Sequence, residues 1–166
     1  MRNGLSRFAR ESKPESGQAL VEFAFVFMFW VIMVLAILEM VLFLHTYNVL
    51  ADAAKEGVRY AIVHGTNNSK PCGPVTCADV TGAAAPAGTT PGYGSGFGVV
   101  KTFAQYSLHN TSGMTVTMSY PGGDATPANK TPNRVQVVVA YRYQPFFGLG
   151  WPTVTLNAAA EGRIMN

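Results

Sequence analysis

The chain has 166 residues, 48% hydrophobic and only 13% charged, with a formal net charge of +3. That length supports one modest core outside any apolar segment, and the basic residues form no run or stripe suited to nucleic acid. His45, His64 and His109 stand in no metal-ligating spacing, no Gly-x-Ser-x-Gly occurs, and neither an enzyme nor a cofactor is implied.

Residues 1–17 (MRNGLSRFARESKPESG) are a short basic leader, with Arg2, Arg7, Arg10 and Lys13 set against Glu11 and Glu15. Residues 18–44 are the predicted transmembrane helix. No charge falls between Phe23 and Leu38, and no Gly or Pro interrupts the run. It exceeds the ~20 residues needed to cross ~30 Å of hydrocarbon. The competing reading, a buried helix of a soluble protein, fails because so short a chain could not wrap a helix apolar on every side. A secretory signal would have a core of ~7–15 residues and a small-x-small cleavage site, which Leu35–Glu39 does not offer. The basic leader places the N-terminus in the cytoplasm and everything after Leu44 outside. Two carboxylates interrupt the apolar character, Glu22 one turn in and Glu39 near the far end. A charge at the bilayer centre costs about 3 kcal/mol on insertion scales and less near the interfaces. Glu22 can therefore be read simply as an interfacial carboxylate reaching headgroups.

Residues 45–65 continue the helix as an emergent amphipathic segment. Met40, Phe43, Tyr47, Leu50, Ala54, Gly57 and Ala61 step by threes and fours along one expected stripe. Glu56 and Arg59 are spaced to pair on the surface, and Gly65 followed by Thr66-Asn67-Asn68 is the expected stop. From Leu20 to Val63 such a helix would run roughly 65 Å, about half of it beyond the membrane. Ala53, Gly57 and Ala61 make a ridge of small residues that permits close backbone approach, either by a neighbouring helix or by the chain's own later domain.

Residues 66–166 form the predicted outer α+β domain. Cys72 and Cys77, the only cysteines, are expected to form a disulfide on the oxidising side, since a zinc site would want about four ligands and only His64 is near in sequence. The Gly/Pro-rich stretch 82–98 reads as a flexible loop. Gly92, Gly94, Gly96 and Gly98 lack the preceding strand and the Gly-Lys-Ser/Thr of a phosphate loop. Val99–His109 fits a short helix burying Val99, Phe103 and Tyr106, with Val100 beside them. Met114–Tyr120 alternates in strand period, and Pro121-Gly122-Gly123 ends it. Arg134–Tyr143 and, more weakly, Thr153–Gly162 alternate likewise, the last with Val154, Leu156, Ala158 and Ala160 on the apolar side. The aromatic connection between them, carrying Phe146, Phe147 and Trp151, reads either as a flap over the sheet edge or as a contact with a subunit or membrane surface. Three antiparallel strands with one apolar face need cover, and the helix stripe supplies it.

Two stretches carry a family resemblance. Gly17-Gln18-Ala19-Leu20-Val21-Glu22-Phe23, following a basic leader and opening an apolar run, resembles the type IV prepilin signal. The resemblance implies cleavage after Gly17 by a membrane prepilin peptidase, a new N-terminus at Gln18, and a role for Glu22 beside Phe23 in assembly. Leu50–Ala61 (LADAAKEGVRYA), with Lys55, Glu56, Gly57, Arg59 and Tyr60, is similar to a segment of the TadE-like family of Tad/Flp pilus-assembly proteins, which often carry a second glutamate late in the span, as Glu39 is here. Many members have a proline shortly after the Glu-Phe pair, where this chain has Met28. The resemblance implies a pilin-like fold, a helix packed on a small antiparallel sheet. It implies a minor pilin or assembly factor, with a prepilin peptidase, pilin-like subunits or Tad assembly components, and the lipid bilayer as partners. Its place would be the membrane, the pilus or the cell surface. The alternative is an uncleaved, anchored extracytoplasmic binding domain that uses the Phe146–Trp151 loop.

Overall fold

The computed structural model describes residues 15–92, 95, 97–121, 127–148 and 150–165. Arg2, Arg7, Arg10, Glu11 and Lys13 of the leader, Gly94 and Gly96, and the Gly122-Gly123 strand stop lie outside the described residues.

An uninterrupted run of helix-compatible residues gives α1, Glu15–Val63, and two short helices follow, α2 (Ala78–Thr81) and α3 (Val99–Gln105). Alternating strand-formers give β1 (Met114–Ser119), β2 (Arg134–Tyr143) and β3 (Val154–Arg163), paired antiparallel in the order β1-β2-β3. Met118 faces Val137 across one ladder, and Val139 faces Ala158 across the other. The chain divides into two compact units at Leu38 and Glu39.

In the second unit, Val135, Val137 and Val139 of β2 are fully buried, with Met114, Met118, Leu156 and Ala158 on the same apolar face. They join Leu50, Ala53, Ala54, Val58 and Ala61 of α1 in one core, so the helix packs on the small sheet in an α+β fold. Two glycines let it come close. A Cβ on Gly57 would lie 2.5 Å from Val100 Cγ2 and 3.3 Å from both Val137 Cγ1 and Val80 Cγ1. One on Gly162 would lie 2.6 Å from Val58 Cγ1. The Ala53-Gly57-Ala61 ridge is thus filled by the chain's own domain.

Some sequence expectations need correction. Met40 and Tyr47 are exposed, and the covered positions are instead Glu39 and Thr46. The seam runs one residue earlier because Glu39 turns inward to hydrogen-bond donors, while the Thr46 hydroxyl donates to Leu42 O at 2.9 Å. In α3, Phe103 and Tyr106 face outward, Tyr106 with 82% exposure, and Val99, Val100 and Ala104 are inside. That inner face is built around Thr102, whose hydroxyl donates to Gly98 O at 2.8 Å and accepts from Ala85 N–H at 2.9 Å. Val154 is exposed at the sheet end, where it pairs with Tyr143. α2 was not anticipated, since four residues carry no periodic signal.

Candidate functional site

In the first unit, α1 is an apolar helix long enough to cross a membrane. Leu20, Phe25, Val26, Met28, Phe29 and Trp30 are all exposed, as a lipid-facing helix is and a soluble core helix is not. A Cβ on Gly17 would meet nothing within 4 Å. Gln18 and Glu22 are exposed, and exposed Phe23 stacks on Phe27 with ring centroids 6.2 Å apart.

The most developed polar constellation lies at the start of the second unit. Glu39 is 3% exposed, and its carboxylate is met by three donors. The Tyr143 hydroxyl and the Phe146 N–H (3.2 Å) donate to Oε1, and the Phe147 N–H (3.3 Å) donates to Oε2. Phe43, one turn on, packs edge-on against the Tyr143 ring at 5.4 Å. Charge-assisted bonds of this kind are about twice as strong as neutral ones, and a carboxylate in apolar surroundings demands them. Burial, and then the hydrogen bond to Glu39, push the Tyr143 phenol well above its ordinary pKa. The constellation is a clasp: the helix carboxylate holds the end of β2 and the first residues of the aromatic loop. Phe146 is 79% exposed, Phe147 is half-buried with its ring edge-on to Phe146 at 5.2 Å, and Trp151 is exposed.

The motif residues further along α1 serve different ends. Lys55 pairs with Asp52 at 3.0 Å and Arg59 with Glu56 at 3.5 Å. Both are surface pairs, worth less than about 1 kcal/mol. Gly57 is buried beneath α3, as described. The Tyr60 hydroxyl donates to Asp79 Oδ2 at 3.0 Å, and its ring stacks on that of His64 at 3.9 Å. Cys72 and Cys77 form a disulfide. The bridged loop is pinned by Cys72 N–H to His64 O at 2.7 Å, by Asn129 Nδ2 to Cys72 O, and by the Tyr120 hydroxyl to Gly73 O at 2.9 Å. Burial raises the Tyr120 pKa to about 12. A shallow groove of about 370 Å³ is lined by Glu56, Arg59, Tyr60, His64, Thr90 and Pro91, among others.

The structure therefore gathers Glu39, Phe146 and Phe147 into one place and joins Cys72 to Cys77. Lys55, Glu56, Arg59 and Tyr60 stay apart from the clasp, along α1. Sequence reasoning missed Tyr143 as the partner of Glu39, 104 residues away. The available signal was a carboxylate that needed a donor and a tyrosine ending an otherwise valine-rich apolar face. Asp79 and Asn129 carried no signal.

Residues 17–59 match the family model described as TadE-like protein, a segment that includes Gly17, Glu22, Glu39 and Glu56. No curated protein and no solved structure matches the chain.

Proposed function

We propose that this chain, TadE-like over residues 17–59, is a membrane-anchored pilin-like protein that acts in Tad-type pilus assembly as a minor pilin or assembly factor. The observation that carries the reading is a coincidence of position. The family match begins at Gly17, where the polar, basic leader gives way to the apolar run carried by α1. A prepilin peptidase cuts after Gly17 on the cytoplasmic face and leaves the ammonium of Gln18. Glu22, one turn later, pairs with such an ammonium. Unit charges ~4 Å apart attract by about 4 kcal/mol at an effective dielectric near 20, enough to offset most of the cost of placing Glu22 in lipid. The outer domain, with its disulfide, lies on the oxidising side.

The test is the intact mass of the chain from native membranes, beside Gly17→Arg. No neighbour crowds a Cβ at Gly17, so the substitution acts on recognition and not on folding. The parent is expected to begin at Gln18 and the variant to keep the leader. A full-length parent, in cells whose peptidase demonstrably cuts another prepilin, overturns the processing and leaves an uncleaved anchored domain. In the same preparations Glu22→Ala is expected to be cut normally yet to be depleted from sheared surface filaments. Undiminished incorporation would remove the assembly role of Glu22.

A further inference from the structure

Around Glu39 the two sides of α1 differ sharply. Glu39 and Thr46 are buried and Phe43 is half-buried, whereas Met40, Val41, Leu42 and Leu44 are exposed, Met40 by 60%. Part of the cover on the first side is the Tyr143–Phe147 segment, hydrogen-bonded to the Glu39 carboxylate. The apolar belt on the other side continues for five residues past Glu39, about 7 Å along the axis. Lipid that covers this belt therefore also meets the segment lying beside it. Besides polar Gln144, the segment presents Phe146 outward, the most exposed large apolar side chain of the clasp, with Phe147 edge-on to it. Trp and Tyr concentrate at membrane interfaces, and Trp, Phe and Leu make the face by which surface-bound elements sink about 5–10 Å into them. The ~7 Å of apolar helix beyond Glu39, to which the Phe146 N–H is bonded, is a length of the same order.

Building on the anchor reading above, we propose that Phe146 and Phe147, with Trp151 nearby in sequence, form a lipid-embedded foot of the outer domain. They enter the interfacial zone of the leaflet on the domain's side. The clasp serves two purposes at once. It satisfies a carboxylate inside the apolar belt, and it fixes the depth at which the foot enters lipid.

Depth-dependent fluorescence quenching in the full-length chain tests this, in nanodiscs of phosphatidylcholine and phosphatidylglycerol, which are open to solvent on both faces. The native tryptophans are Trp30 and Trp151. Phe146→Trp in a Trp30→Phe, Trp151→Phe background reports on the foot, and Trp151→Phe alone keeps Trp30 as the reporter of the span. At position 146 we expect stronger quenching by a nitroxide near the lipid carbonyls than by one deep in the acyl chain, together with shielding from aqueous iodide. The protein alone leaves this position 79% exposed, so shielding must come from lipid. Full iodide access with no lipid-borne quenching, while Trp30 is quenched by the deep nitroxide, overturns the foot and spares the anchor. An unquenched Trp30 overturns both. Trp30→Phe alone, reporting through native Trp151, serves if Phe146→Trp disturbs the loop; iodide access there equal to that of free tryptophanamide also overturns the foot.

Discussion

Glu39 concentrates three donors on one carboxylate, which makes its removal unlike the removal of any one donor. In Glu39→Ala the Tyr143 hydroxyl and the two loop amides lose their acceptor together; the buried hydroxyl left unpaired costs about 1–3 kcal/mol and the part-buried amides add less. Tyr143→Phe deletes one donor and leaves the carboxylate held by Phe146 and Phe147, for about 1.5–3 kcal/mol. Glu39→Gln keeps the shape, but one side of its amide presents N–H to a donor, so it should fall near alanine. The expected order of thermal midpoints in detergent, by near-ultraviolet circular dichroism, is parent, then Tyr143→Phe, then Glu39→Gln and Glu39→Ala. Equal midpoints for Tyr143→Phe and Glu39→Ala would show that the amides draw nothing from the carboxylate.

At the scale of elements, α1 shows where sequence patterning succeeds and where it stops. The strands were legible because a period of two leaves only two faces to choose between, and Val135, Val137 and Val139 choose one. The helix stripe read from the sequence holds at Leu50, Ala54, Gly57 and Ala61, which are buried, and fails at Met40 and Tyr47, which are exposed; its closest approach is at Gly57. Hydrophobicity favours Met40 and Tyr47 over the polar Glu39 and Thr46 beside them. Only the donors supplied by the fold make Glu39 a covered residue, so the stripe falls one position late at its N-terminal end. In α3, barely two turns long, the apolar faces were too few to rank. The clasp itself joins residues 104 apart, and no local pattern encodes such a distance. The close approach at Gly57 makes a prediction. Gly57→Ala should gain about 1 kcal/mol in helix propensity but force its Cβ to 2.5 Å from Val100 Cγ2, and overpacking of this kind costs about 1–3 kcal/mol. Crowding should win, lowering stability in denaturant titration. Val100→Ala added to Gly57→Ala should recover part of the loss, a non-additivity expected of residues in contact. Strict additivity would place the strain elsewhere.

The molecule joins two kinds of construction. The first unit is an apolar helix with outward-facing side chains, whose proposed surroundings are lipid. The second is closed on itself by bonds that join distant parts of the chain. The Met165 N–H reaches Ile62 O at 3.1 Å, the Ile164 N–H reaches Asn133 O at 2.9 Å, and the Tyr120 hydroxyl ties the end of β1 to the disulfide loop at Gly73 O. The last of these can be weakened by pH. Burial raises the Tyr120 pKa from 10.0 to about 12, so above pH 10 the unfolded chain releases this proton before the folded one does. The stability Tyr120 contributes is therefore complete below about pH 10 and drains away as pH climbs toward 12. Thermal midpoints of the detergent-solubilised chain should be level up to that point and then fall. Tyr120→Phe should start lower, having lost the bond to Gly73, but fall less steeply between pH 10 and 12, because a group that does not ionise cannot drive unfolding by ionising. Parallel alkaline slopes for parent and variant would separate the alkaline loss from this phenol and leave the anchorage of the disulfide loop insensitive to pH.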